Sequence, residues 1–119
     1  MNRVLIVDDA QFMRQRLAKL LSKHGFDVIE ADDGDAAVQS YHSDRPDAVL
    51  MDITMLPKDG LTALAEIRDF DPQAKVIMLT ALDQQAIILR AMQLGARDFL
   101  VKPYRPEFVL KALKKVLGE

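Results

Sequence analysis

The chain reads as an α/β protein built on a parallel sheet, and three observations predict it. Four short runs, Val4-Leu5-Ile6-Val7, Ala48-Val49-Leu50-Met51, Val76-Ile77-Met78-Leu79 and Phe99-Leu100-Val101, are apolar on both alternating faces, as strands covered on both sides are. The stretches between them carry the helical period, so strand and helix alternate from end to end, the pattern of βαβ units. The runs also stop at chemically pointed residues: Asp8-Asp9, Asp52, Thr80 and Lys102-Pro103. Sites in open α/β sheets form at the carboxyl ends of strands, so residues distant in sequence meet there.

The first helix is expected from Gln11 to His24, with Met13, Leu17, Leu20 and Leu21 on one stripe and Gly25 closing it. Asp27-Val28-Ile29-Glu30 is the weakest strand, and its polar residues place it near the sheet edge. Asp32-Asp33-Gly34 reads as a loop, and Asp35 to Ser43 as the second helix, ended by Asp44-Arg45-Pro46-Asp47. Gly60 to Phe70 forms the third helix, with Leu61, Leu64 and Ile67 inward and Asp71-Pro72 ending it. Asp83 to Leu94, closed by Gly95, forms the fourth. Arg105 to Leu117 forms the fifth, with Val109, Leu113, Val116 and Leu117 on its stripe. Five strand–helix units result, in one domain over residues 1–119, and no output domain is expected after the last helix.

Composition narrows the function. The chain has 119 residues, 50% of them hydrophobic, enough for one helix-covered core. Sixteen basic residues nearly balance 18 acidic ones, for a net charge of −2, which leaves no basic footprint for nucleic acid. Without cysteine there is no disulfide framework, thiolate metal site or cysteine nucleophile, and a cytoplasmic setting is compatible. Met1-Asn2-Arg3 leads directly into a short strand bounded by aspartates, unlike a signal peptide or membrane span.

If the first and third strands are neighbours, Asp8, Asp9 and Asp52 crowd into one volume, and like charges that close need a counter-ion. Mg2+ suits them, because it takes oxygen ligands and binds through one or two carboxylates plus a phosphate. A carboxylate there can act as nucleophile toward phosphorus and form an acyl phosphate. Such transfer needs mainly positioning and neutralised charge, and Lys102 supplies a cation and Thr80 a hydroxyl donor. Each residue alone has a blander reading. Asp8-Asp9 could cap a helix, Asp52 could belong to a loop, Thr80 could merely end a strand, and Lys102-Pro103 could be a turn. Phe99 and Tyr104 are by default packing residues. Their coincidence at separate strand ends is what favours the site.

Taken together, Val7-Asp8-Asp9, Met51-Asp52-Ile53-Thr54-Met55 with Asp59-Gly60, Leu79-Thr80-Ala81 and Asp98-Phe99-Leu100-Val101-Lys102-Pro103 closely resemble the receiver domain of bacterial two-component response regulators. The likeness spans the chain and is greatest to free-standing receivers of the chemotaxis type. It implies the flavodoxin-like (βα)5 fold with strand order 2-1-3-4-5. It makes Asp52 the phosphoacceptor, with Asp8, Asp9, Asp52 and the backbone carbonyl of Thr54 around Mg2+. It also implies that Thr80 and Lys102 contact the phosphoryl group, that Lys102-Pro103 is cis, and that Phe99 is a switch aromatic moving with Thr80. A sensor histidine kinase is the implied donor and a downstream protein the implied target. That target would dock on the fourth helix, fifth strand and fifth helix, where Asp83, Gln84, Ile87, Arg90 and Lys111 are plausible exposed residues. Neither nucleic acid nor membrane is an implied partner, and the chain would be a monomer or a phosphorylation-linked dimer. One departure stands out: Leu56 occupies the place where the family usually has proline, and Pro57 follows it. Phe99 lacks the hydroxyl that some relatives present, and Thr54 and Leu82 fall where the family tunes water access to the phosphoryl group.

Three rival classes are weighed beside this. A phosphohydrolase of the haloacid dehalogenase type would place a second aspartate where Thr54 stands. A flavin carrier would want hydroxyls and free amides where Asp8-Asp9 stands. A scaffold that is never phosphorylated stays open through the shifted proline, against a complete set of acceptor, metal and charge residues.

Overall fold

The computed structural model describes residues 2–55, 58–81 and 85–118. The readings above on Met1, Leu56, Pro57, Leu82, Asp83 and Gln84 lie outside the described residues. Within them run β1 (Arg3–Val7), α1 (Gln11–Lys23), β2 (Asp27–Ala31), α2 (Gly34–Asp44), β3 (Ala48–Asp52), α3 (Gly60–Phe70), β4 (Val76–Thr80), α4 (Gln85–Gln93), β5 (Asp98–Val101) and α5 (Pro106–Leu117). Every pairing is parallel, in the order β2-β1-β3-β4-β5. The chain builds outward from β1 to β2, then crosses back to add β3, β4 and β5 on the other side. That reversal opens a crevice beyond the carboxyl ends of β1 and β3, where α/β sheets bind their ligands.

Strand alternation divides the core in two. Leu5, Val7, Val49, Met51, Val76 and Met78 face α2, α3 and α4 and pack with Leu64, Ile67 and Ala91. Val4, Ile6, Leu50, Ile77 and Leu79 face α1 and α5 and pack with Leu17, Leu21, Val109 and Leu113. Both faces of the inner strands are fully covered, which is why they read as unbroken apolar runs. Burying each large side chain contributes about 1.5–3 kcal/mol of hydrophobic stabilisation. β2 is an edge strand, with Asp27 and Glu30 exposed.

The strands run past their apolar runs because backbone pairing does not depend on side-chain polarity. Asp52 is in register with Leu79 and Thr80 with Val101, so both polar residues belong to the sheet. Helix α2 begins earlier than its pattern suggests: Asp33 is its N-cap, accepting the Ala36 N–H at 2.7 Å, and Gly34 is helical rather than part of the loop. At the other end Arg45 takes a left-handed φ of 46° and donates its N–H to Tyr41 O.

The carboxyl ends of α2 and α3 are joined. The Tyr41 hydroxyl donates to Asp71 Oδ2 at 2.7 Å, the Arg45 guanidinium lies 5.0 Å from the Phe70 ring centre, and His42 stacks on that ring. The Tyr41 bond is the main reason that the Asp71 carboxyl sits below its ordinary value of 3.8. Tyr41→Phe is expected to cost about 1–2 kcal/mol in urea unfolding at neutral pH. A depressed carboxyl stabilises the fold above its unfolded value and loses that contribution as pH falls through the folded one. The gap between the two proteins should therefore narrow below pH 3.8; a gap that widens in acid would contradict this.

Candidate phosphoacceptor site

Asp8 is the first residue beyond β1 and is fully buried. Its backbone N–H continues the β1–β2 ladder to Ala31 O, and its Oδ1 accepts the Ala10 N–H at 2.9 Å. Its other oxygen, Oδ2, is buried and has no hydrogen-bond partner among the described residues. Neither Asp8 nor Asp9 is the N-cap of α1, a position held by Ala10. Asp9, beside it, is exposed. Arg14, on the first turns of α1, donates to the Asp8 carbonyl at 2.7 Å and pairs with Glu30 of β2 at 3.0 Å, tying the strand end to its edge neighbour.

Asp52 ends β3 with 6% of its surface exposed. Its Oδ1 accepts the Thr54 N–H at 3.3 Å and lies 3.3 Å from Lys102 Nζ. The same ammonium is 3.7 Å from Asp8 Oδ2, within ion-pair range and beyond hydrogen-bond length. Asp8, Asp9 and Asp52 each offer a carboxylate oxygen within 4.8 Å of the others. One cation thus pairs with two buried carboxylates, and a third lies beside them at the surface. Burial pushes the Asp52 carboxyl up; Lys102 opposes the shift and the Asp8 charge adds to it.

Thr80, buried at the end of β4, donates its hydroxyl to the adjoining Ala81 carbonyl at 3.3 Å. The N–H of Lys102 bonds to the Thr80 carbonyl at 2.7 Å, which holds the lysine beside the end of β4, and the Lys102-Pro103 peptide is cis. Phe99 of β5 is half-buried against the face covered by α2, α3 and α4. Tyr104 packs on the α1/α5 side, and burial, reinforced by Asp8 and Asp52, pushes its hydroxyl up to about 12. The structure therefore brings Asp8, Asp9, Asp52 and Lys102 into one cluster, puts the Thr54 N–H on Asp52, and ties Thr80 to Lys102 through the backbone.

The donor set is all oxygen and carries more negative charge than Lys102 balances. The unpartnered Asp8 Oδ2 is an acceptor that a hard cation would satisfy. These residues fit a divalent ion such as Mg2+.

Two supports were missed in the sequence. Arg14 lies off the apolar stripe of α1. Lys58 follows no period and ends no strand, yet it pairs with both Asp35 and Glu66.

Compared with known proteins, residues 4–114 match the family model of the response regulator receiver domain. The chemotaxis protein CheY of Bacillus subtilis (strain 168) is 50% identical over 118 residues, covering 98% of both chains. The CheY of Thermotoga maritima is 49% identical over 115 residues, 96% of both chains. A solved CheX-CheY-BeF3-Mg+2 complex from Borrelia burgdorferi contains a chain similar at a TM-score of 0.92 and 38% identity, over 99% of this chain and 90% of that one.

Proposed function

Because the chain belongs to the response regulator receiver domain family, we propose that it accepts a phosphoryl group on Asp52 from the phosphohistidine of a sensor histidine kinase and thereby changes its affinity for a downstream protein. The observation that carries this reading is the convergence of three carboxylates from two strand ends within 4.8 Å, with Lys102 against two of them. The similar Borrelia chain occurs in a complex with CheX, BeF3 and Mg+2, which supports both a metal and a protein partner here.

In this reading an Asp52 carboxylate oxygen attacks phosphorus, the bond from phosphorus to the histidine nitrogen breaks, and the ring keeps the electron pair. Asp8, Asp9, Asp52 and the Thr54 carbonyl would hold Mg2+, which when bound supplies positive charge to the phosphoryl oxygens. Lys102 turns from Asp52 and Asp8 to a phosphoryl oxygen, exchanging one charge-assisted contact for another. The Thr80 hydroxyl leaves its weak bond to Ala81 and donates to the same group. Phe99, only half-buried, follows Thr80 inward. These contacts exist only in the phosphorylated state, so they set how far the equilibrium can shift. The readout face is α4, β5 and α5, where Leu89, Arg90 and Phe108 are exposed. Residues 1–119 act as one receiver domain in the cytoplasm; among the described residues no helix is long and apolar enough to cross a membrane.

The test is intact-mass spectrometry after incubation with acetyl phosphate, with and without Mg2+, followed by borohydride trapping and peptide mapping. A single phosphoryl adduct that needs Mg2+ and maps to Asp52 is expected. An adduct on another residue, or its formation in full without Mg2+, would sink the mechanism.

A further inference from the structure

Lys58 lies between Asp52 and α3 and has no part in the chemistry above. Its ammonium nevertheless sits between carboxylates from two helices, 2.9 Å from Asp35 Oδ1 on the first turn of α2 and 2.6 Å from Glu66 Oε2 on α3. The lysine side chain is only 22% exposed, while both partners are far more open. Its backbone is held at the same place. A Cβ at Gly34 would fall 2.5 Å from the Lys58 carbonyl oxygen and under 3 Å from the first carbons of its side chain, so α2 meets this residue closely only because position 34 is glycine.

The other end of the loop is anchored on the site itself. The Gly60 N–H donates to Ile53 O at 2.8 Å, and the Thr54 N–H rests on Asp52 Oδ1. Thr54 is thus bound to the phosphoacceptor, and Lys58, four residues later in the sequence, to α2 and α3. A single exposed ion pair contributes little, but one ammonium shared by two carboxylates over a close backbone contact restricts where a loop can go. Groups that hydrogen-bond a metal ligand directly are worth about 10–100-fold in metal affinity, and Lys58 acts one step further out, so the lower end of that range applies.

We propose that Lys58 is a positioning residue: by bridging Asp35 and Glu66 it keeps the backbone at Thr54 in register with the Asp8-Asp9-Asp52 cluster and so sets the affinity of the site for Mg2+. This rests on the reading of the site given above and adds to it a connection from the first turn of α2.

Mg2+ titration of 15N-labelled protein, followed by the Thr54 and Gly60 amide signals, tests it without relying on phosphorylation. Lys58→Met keeps the length of the side chain and removes the charge; it should weaken Mg2+ binding about tenfold. Lys58→Arg should restore most of that affinity, and Glu66→Gln should weaken it in the same direction as Lys58→Met. Unchanged affinity in Lys58→Met, even with a lowered melting temperature, overturns the proposal, as does equal weakening in Lys58→Arg. If the unsubstituted protein binds Mg2+ yet never takes up a phosphoryl group, the functional reading fails while the positioning role stands. If it binds no Mg2+, both fall.

Discussion

Asp52→Asn is expected to take up no phosphoryl group from acetyl phosphate at any Mg2+ concentration, and to be the more stable protein in Mg2+-free buffer. The first effect follows from removing the nucleophilic oxygen. The second follows from what surrounds it: Asp52 and the fully buried Asp8 share one lysine, and Asp8 Oδ2 has no hydrogen bond among the described residues. Burial holds the Asp52 carboxyl above its ordinary value of 3.8, with Lys102 opposing and Asp8 adding. A carboxyl raised in the folded state favours folding fully below its unfolded value, and that contribution is lost as pH rises through the folded one. At neutral pH the ionised group therefore costs stability. Asparagine removes that charge from beside Asp8, for a gain on the order of 1 kcal/mol. Urea unfolding at pH 7 and below 3.8 checks this: the gain should be present at the higher pH and fade at the lower. A variant less stable than the parent at pH 7 would contradict the account.

Gly60→Ala should be the more damaging change to the fold. A Cβ there would lie 2.2 Å from the Asp52 carbonyl oxygen and 2.8 Å from Ile53 Cα, both backbone atoms that cannot swing away. Overpacking a close contact costs about 1–3 kcal/mol, and the upper end applies because no flexible side chain can yield. The displaced peptide belongs to Asp52 itself, so the site moves with it. We expect a lowered urea midpoint together with weaker Mg2+ binding by calorimetry. A variant destabilised as expected but with unaltered Mg2+ affinity would separate the fold from the site and refute the link.

The parallel sheet was legible because Leu5, Ile6, Leu50, Met51, Ile77 and Met78 are covered on both faces, which leaves no room for alternating polarity. The edge position of β2 was legible in Asp27 and Glu30. The meeting of Asp8 with Asp52 depended on β1 lying beside β3, a long-range fact that no local pattern carries; the family likeness, not periodicity, suggested it. Asp8 is buried because its N–H still pairs with Ala31 in the ladder, whereas Asp9 lies beyond the ladder and is exposed. Helix α2 was placed a residue late because Gly34 and Asp33 read as turn formers, whereas here one lies against Lys58 and the other caps. Lys58 and Arg14 escaped notice because each acts through partners far away in sequence.

The joined carboxyl ends of α2 and α3 give the molecule an uneven distribution of frustration. There, at the amino end of the sheet, Tyr41, Asp71, Arg45, Phe70 and His42 satisfy one another. At the opposite end, among the described residues, Thr80 has a poor partner and Asp8 Oδ2 no hydrogen bond. Local openings draw on whichever contacts are weakest, so rearrangement at the carboxyl end of the sheet needs only a small part of the global unfolding free energy. The contacts that hold α2 and α3 together therefore lie at the end of the sheet away from Asp52.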